Sequence, residues 1–340
     1  MKTKTGVLLI NLGTPDSPTP KDVYRYLIDF LTDGRVIDFP WLQRQLLVRG
    51  VIIPRRYKES AKAYKTIWIE KGSPLKIYGE EVAVALQQAL GDDFKVVLAM
   101  RYRSPSIADG LQRLMNFNVD RLIIFPLFPQ YASSTTGSVH QKVMEVIAQW
   151  EVIPEILFIN NYAAAPSLID AFCATASNYS MDNYDHILFS FHGLPQRHLK
   201  KADRSGKCCL KTKDCCEKLT ETNKNCYSAQ CHATAHAIAK KLNIAPLKYS
   251  ISFQSRLGKD PWIEPYTVDT INQLATDGTK RLLVFCPSFV CDCLETIYEI
   301  GIEYTENFKH HGGETLDLVP GLNSHPAWIK ALKEMIIQKI

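Results

Sequence analysis

Eight short apolar runs, each closed by a turn, limit what this 340-residue chain can fold into. They are "TGVLLINL" (5–12), "KVVLAMRY" (95–102), "RLIIFPLF" (121–128), "EILFINN" (155–161), "HILFSFH" (186–192), "LKYSISF" (247–253), "RLLVFCP" (281–287) and "LDLVP" (316–320). Most are continuous rather than alternating, the mark of strands covered on both faces, as in a parallel sheet. Helical patterns lie between them at 79–90, 106–116, 138–149, 166–178, 229–242 and 268–275. Strands that alternate with helices predict an α/β architecture. Four runs precede "NNYAAAPSL" and four follow it, so the expected organisation is two similar Rossmann-like domains, each with a parallel four-stranded sheet flanked by helices. The N-terminal domain takes residues 1–158 plus 321–340, because the last helical segment can pack back on the first half; the C-terminal domain takes 159–320. No close sequence repeat accompanies this pattern. Residues 20–78 read as a helical, proline-punctuated insertion, and 203–226 as a polar, strandless one.

Composition removes several classes of function. Apolar residues make up 46% of the chain, enough for a full core, yet no run of 18 exists to cross a membrane. The opening "MKTKTGVLLINLGTPD" has the lysines and apolar run of a signal peptide but no small-residue cleavage site. It reads as a first strand stopped by a turn. The expected compartment is therefore the reducing cytoplasm, with peripheral membrane contact left open. A net charge of +5 is too mild and dispersed for a nucleic-acid partner. It suits a carboxylate-bearing ligand or an anionic membrane surface. Oligomeric state is not legible.

In open parallel sheets ligands bind just beyond the carboxyl ends of the strands. His192 stands at such a tip, before Gly193, where an imidazole can take up a proton near neutral pH or bind a metal. After the seventh strand, Asp292, Glu295, Glu299 and Glu303 fall on a helical segment, three of them four apart and so in one column. A solvated acidic face is the plain alternative. Apolar neighbours in "CPSFV" and "IYEI" argue that part of the column is buried, and buried carboxylates want cations. Six cysteines, Cys208, Cys209, Cys215, Cys216, Cys226 and Cys231, crowd into 207–231, while Cys173, Cys286, Cys291 and Cys293 are all that the remainder holds. A reducing compartment disfavours disulfides, and an insertion with no core of its own gains from a metal clip.

"LINLGTP", "RYRSPSI", "FPQYASSTTGS", "SFHGLPQR", "FQSRLGKDPW" and "DCLETIYEI" together resemble the ferrochelatases, in order over nearly the whole chain. The resemblance implies a lyase that inserts Fe²⁺ into a porphyrin at the end of haem synthesis, on two Rossmann-like halves around a cleft. The motif forms are closer to the protoporphyrin branch than to the coproporphyrin branch. Residue by residue it implies His192 and Glu295 as the catalytic, iron-handling pair, with Asp292, Glu299 and Glu303 as an acidic ladder. It implies Leu12, Arg55, Arg56, Tyr64, Ser73, Arg101, Tyr131 and Phe289 as porphyrin-pocket positions. Cys293 stands where some members carry a second histidine. Several ferrochelatases hold a [2Fe–2S] cluster, some through an internal segment like 203–226. The expected ligands are one of Cys208 and Cys209, one of Cys215 and Cys216, then Cys226 and Cys231. Zinc and free thiols are the alternatives for the cysteines. For the whole chain the alternatives are a chelatase acting on another tetrapyrrole and a non-catalytic iron–sulfur sensor.

Overall fold

The computed structural model describes residues 3–212, 214–258 and 260–340. Its strands are β1 (Thr5–Gly13), β2 (Phe94–Tyr102), β3 (Arg121–Pro126), β4 (Glu155–Phe158), β5 (His186–His192), β6 (Tyr249–Gln254), β7 (Arg281–Phe285) and β8 (Thr315–Leu318). They form two four-stranded sheets, ordered β2-β1-β3-β4 and β6-β5-β7-β8, and every pairing is parallel. The expected fold class holds, and the strand order of the first sheet is repeated in the second. Val7, Leu8, Leu9 and Ile10 are all fully buried. That is why the strand reads as an unbroken apolar run: both of its faces are covered.

Several runs overshoot their strands. Leu127, Ile159 and Cys286 are buried but lie past the paired residues, in the loops at the strand tips. Burial continues there after ladder pairing stops, and hydropathy responds only to burial. The insertion after β1 forms helices Pro20–Leu31, Trp41–Leu47, Ile53–Ile67 and Pro74–Leu90, with Val48–Ile52 wound as a π turn. Thr19 caps the first of these by accepting from the Asp22 amide, and Pro20 follows at a position that needs no N–H partner.

The chain divides into two compact units. One comprises the chain up to Phe128, Ala132–Asn160 and Ile329–Ile340; the other comprises Pro129–Tyr131 and Asn161–Trp328. In the first, Leu8, Ile10, Val97, Ala99, Leu122 and Ile124 pack against Leu111, Leu114, Val139 and Val143 of helices Ile107–Met115 and Ser138–Ile147. In the second, Leu188, Leu282 and Val284 pack against Ile271 and Ala275 of Thr267–Thr276, and against Ile300, Tyr304 and Phe308.

His140, on helix Ser138–Ile147, packs its ring 4.7 Å from that of Phe158. Burial pushes its pKa down to about 4, so the folded unit holds it neutral. A depressed histidine pKa means the unfolded chain binds the proton first. The stabilisation is full above the unfolded value of about 6.5 and is lost as pH falls toward 4. In urea titrations the wild-type midpoint is expected to drop through this window, and His140→Phe to flatten the drop. A His140→Phe slope equal to wild type would assign the acid sensitivity elsewhere.

Candidate active site

β5 and β6 end side by side, with His192 in register with Gln254. The Gly193 amide then donates to the Gln254 carbonyl at 2.8 Å. A Cβ at Gly193 would lie 2.8 Å from that carbonyl oxygen and 3.1 Å from the Trp262 ring, so the turn accepts only glycine. This pins His192. Its Nδ1 donates to the Gly193 carbonyl at 2.6 Å. In the neutral ring Nε2 is then the nitrogen with a free lone pair, available to a proton or a metal ion. The imidazole is flanked by Phe289 and Trp262, at ring-centre distances of 6.2 and 6.4 Å.

The acidic segment after β7 is helical, but Glu295–Tyr304 is π-wound rather than α. Hydrogen bonding from i to i+5 widens each turn, and such segments recur at functional sites. The four acids have different surroundings. Asp292 is 8% exposed, accepts from the Gly321 amide, Asn323 Nδ2 and Thr296 Oγ1, and so serves as a strut. Glu299 is the most heavily bonded: it accepts from Gln254 Nε2 (3.1 Å), the Ser255 amide (2.9 Å), Ser255 Oγ (2.5 Å) and Tyr304 Oη (2.7 Å). Ser255 adopts φ 66°, a left-handed conformation unusual for serine, and in it both amide and hydroxyl grip one carboxylate. Glu295 has a lighter load. Gln254 binds its main-chain carbonyl at 2.9 Å, and its carboxylate meets the Cys293 thiol. Glu303 lies at the exposed end of the segment. Desolvation, then the Glu299 and Glu306 charges, push its carboxyl above the usual range. Gln254 thus ties the His192 strand tip to both Glu295 and Glu299.

In the other unit, Leu12 lies at the tip of β1, and Ser73 Oγ bonds Thr14 Oγ1 at 2.7 Å. Tyr64 is buried edge-on to Tyr26 and Trp68. Arg101 gives its Nε to Ser138 Oγ and an Nη to Asp33, each at 2.7 Å, and Tyr102 Oη and Ser138 Oγ also donate to Asp33. Burial alone would raise the Asp33 pKa, but these donors and the Arg35 amide hold it below the usual range. Two of the three Arg101 nitrogens are therefore committed internally, one to the Asp33 carboxylate and one to Ser138. Arg55 and Arg56 project to solvent.

The ferrochelatase family model matches residues 4–340. The chain belongs to the ferrochelatase family. It is 44% identical to the ferrochelatase of Legionella pneumophila strain Corby, over 99% of this chain and all of that one. It is 45% identical to that of Coxiella burnetii strain Dugway 5J108-111, over 98% of this chain and 93% of the other. Solved structures with the same fold include SirB from Bacillus subtilis with Fe³⁺, at 10% identity and TM-score 0.56, covering 99% of this chain and 95% of that one. The activity of this ferrochelatase is insertion of Fe²⁺ into a porphyrin in haem biosynthesis.

In this ferrochelatase five of the six clustered cysteines line one cavity of about 350 Å³: Cys208, Cys209, Cys215, Cys216 and Cys226. Cys216 Sγ lies 3.5 Å from Cys215 Sγ and 3.9 Å from Cys226 Sγ. Two thiolates on one tetrahedral metal, at ~2.3 Å each, sit ~3.8 Å apart, so these spacings suit ligation. Asp203 organises the entry by accepting from the amides of Cys208 (2.9 Å) and Cys209 (2.8 Å), which holds its carboxyl far below the usual range. Contact with Cys216 draws the Cys226 thiol down, while burial lifts Cys209 to about 11. Cys231 is fully buried and is not on the cavity wall; it contacts Tyr227. Among the described residues, no group of three or more His, Cys, Asp or Glu side chains is arranged to hold a metal ion.

Sequence reasoning stopped short of several residues. Gln254 stood out only as a strand-tip residue, and Trp262 only within the motif "FQSRLGKDPW". Ser255 likewise stood only within that motif, and Tyr304 and Tyr227 carried no signal: Tyr227 acts on His192, distant in sequence, and Tyr304 on Glu299 across a winding the pattern did not show.

Proposed function

We propose that this ferrochelatase metallates protoporphyrin IX, with His192 taking the pyrrole protons and His192 with Glu295 handling the incoming iron. The observation that carries this reading is the His192 tautomer: Nδ1 is engaged by Gly193, so Nε2 is basic at a strand tip walled by Phe289 and Trp262. A free porphyrin holds two N–H protons at its centre, and both must leave as Fe²⁺ enters. A base close to the ring serves the first need one proton at a time: Nε2 takes a proton, passes it toward solvent along the acidic line, and is then free to take the second. Glu295, with its lightly engaged carboxylate one helix start away, serves the second as a ligand weak enough to release the metal. Glu299 and Glu303 continue the acidic line, Glu299 as an anchor and Glu303 as a solvent-side relay. The aromatic walls exclude water and press on the macrocycle, using binding energy from remote parts of the ring. Leu12, Tyr64, Ser73, Tyr131 and the arginines are the porphyrin-pocket residues in this reading. With two nitrogens occupied, Arg101 offers a propionate its remaining N–H groups only. Anaerobic Fe²⁺ with protoporphyrin IX should quench the porphyrin fluorescence catalytically. Turnover of coproporphyrin alone would reassign the substrate, and turnover of neither would reject the reading.

The cysteine pocket is read as a [2Fe–2S] site that folds the 203–226 segment. Support comes from the convergence of thiols on one cavity and from the Cys216–Cys226 spacing. One of Cys208 and Cys209, one of Cys215 and Cys216, and Cys226 would supply thiolates, with Cys231 behind them as the fourth. When bound, the cluster contributes folding energy to a segment without a core. Protein purified anaerobically should be reddish-brown, with two irons and two sulfides per chain. Cys226→Ser should bleach it, and Cys231→Ser separates a set that includes Cys231 from one drawn wholly from the cavity. A colourless protein with one tight zinc would keep the clip and reject the cluster; freely reactive thiols would reject both.

The exposed Trp41, Leu42 and Leu46, with the exposed Arg49 beside them, suit peripheral contact with an anionic bilayer by an enzyme of the cytoplasm. Among the described residues no helix is long and apolar enough to cross a membrane.

A further inference from the structure

The cysteine segment runs straight into the helix Tyr227–Lys241, for which Cys226 is the N-cap residue. The first turn of that helix reaches two site residues. Tyr227 is 7% exposed, and its hydroxyl donates to the main-chain carbonyl of His192 at 2.8 Å. Ser288 Oγ lies 3.1 Å from the same phenol oxygen, and the Cys231 thiol also contacts this residue. One turn on, Gln230 accepts from the Tyr131 amide and donates to the Lys224 carbonyl, both at 2.7 Å. Tyr227 and Gln230 are three residues apart and share a helix face.

The strand pattern explains why His192 needs this support. β7 pairs with β5 only as far as Phe189 opposite Phe285, so β7 offers nothing to the last residues of β5. The phenol supplies a donor at the point where the ladder has ended. Through Ser288 it also holds the loop that places Phe289 against the His192 ring. Cys226, one residue before Tyr227, has its thiol 3.9 Å from that of Cys216. Whatever fixes or frees Cys226 therefore acts on the residue next to Tyr227.

We propose that Tyr227 is a positioning residue: it sets the His192 imidazole and couples that setting to the state of the cysteine pocket. The inference rests on His192 as the group that takes the pyrrole protons. A plain structural alternative exists, since a buried tyrosine hydroxyl is nearly always hydrogen-bonded somewhere. The two differ in what a Tyr227→Phe change does to the imidazole. Removing one oxygen keeps the ring and its packing but frees the His192 carbonyl, and small displacements of a reacting group are costly to rate.

The test uses the full chain with ¹³C-labelled histidine, the His192 signal being assigned by its loss in His192→Ala. Tyr227→Phe is expected to move the His192 signal and to lower kcat by roughly tenfold with the porphyrin KM little changed. Cys226→Ser should move the same signal in the wild-type background and leave it in place in Tyr227→Phe, the non-additivity expected of one connected path. If Tyr227→Phe fails to fold, 3-fluorotyrosine at position 227, which keeps the ring and changes only the donor strength of the hydroxyl, is read in the same way. An unmoved imidazole signal in the folded variant, whatever its Tm, would overturn the positioning role. Equal responses to Cys226→Ser in both backgrounds would overturn the coupling. A moved signal together with a fully active His192→Ala would leave the bridge standing and reject the catalytic reading beneath it.

Discussion

His192→Ala is expected to lose at least about 10²-fold in kcat, the lower end of what a positioned acid–base group contributes, while porphyrin still binds. The reasoning is local. The β5–β6 register and the Gly193 turn fix the imidazole, and the Gly193 carbonyl fixes its tautomer. The register and the turn do not depend on the ring, so alanine removes the base and its one bond to the Gly193 carbonyl and leaves the backbone that carried it in place. Porphyrin affinity should persist, because Phe289, Trp262 and the apolar pocket remain. Anaerobic stopped-flow with Fe²⁺ measures turnover, and porphyrin fluorescence quenching measures binding. Turnover above about a tenth of wild type would mean that another group accepts the pyrrole protons.

Glu295→Gln and Glu299→Gln should fail in different ways. Glu295 meets the Cys293 thiol, and its amide counterpart fits the same space. The charge is what is lost, so turnover should fall about 10²-fold with little change in Tm. Glu299 accepts four hydrogen bonds from three side chains and one amide, and holds Ser255 at φ 66°. A glutamine there presents donors to donors. Its cost should appear first as stability, on the order of 2 kcal/mol from broken charge-assisted bonds, with a smaller direct effect on rate. Chemical denaturation and steady-state kinetics on both variants separate the two acids. A large Tm loss in Glu295→Gln with normal turnover would reverse these assignments.

The sheets were legible because burial on two faces writes a continuous apolar signature, as in Val7–Ile10. His192 was legible as a titratable group at a strand tip before glycine. The ladder was legible as a spacing but not as a ranking. Asp292, Glu295, Glu299 and Glu303 look alike in sequence, yet their partners come from Asn323, Cys293, Ser255 and Tyr304, and one is mostly solvated. The π winding left no trace either, since over ten residues an apolar pattern fits both windings. The membership of the thiol pocket was only partly legible. Four ligands were expected from the six cysteines, Cys226 and Cys231 among them; five of the six line the cavity, and Cys231 does not. Cys231 falls on the helix behind it because helical rise, unseen in a list of spacings, carries it away from Cys226.

The same winding makes the acidic segment sensitive to its length more than to its composition. A π stretch differs from an α-helix by residues looped into the ladder, not by residue type. Deleting one residue at Gly301 would remove a looped residue and let the stretch tighten toward 3.6 residues per turn. Gly301 faces Leu318 of β8, so the contact between the segment and that strand would be reset. Glu299 and Tyr304, five apart and bonded across a π turn, would become four apart and remain neighbours across an α turn. Point substitutions along 295–304 leave this winding in place, whatever they cost in chemistry, whereas a single-codon deletion would change the winding of the segment itself.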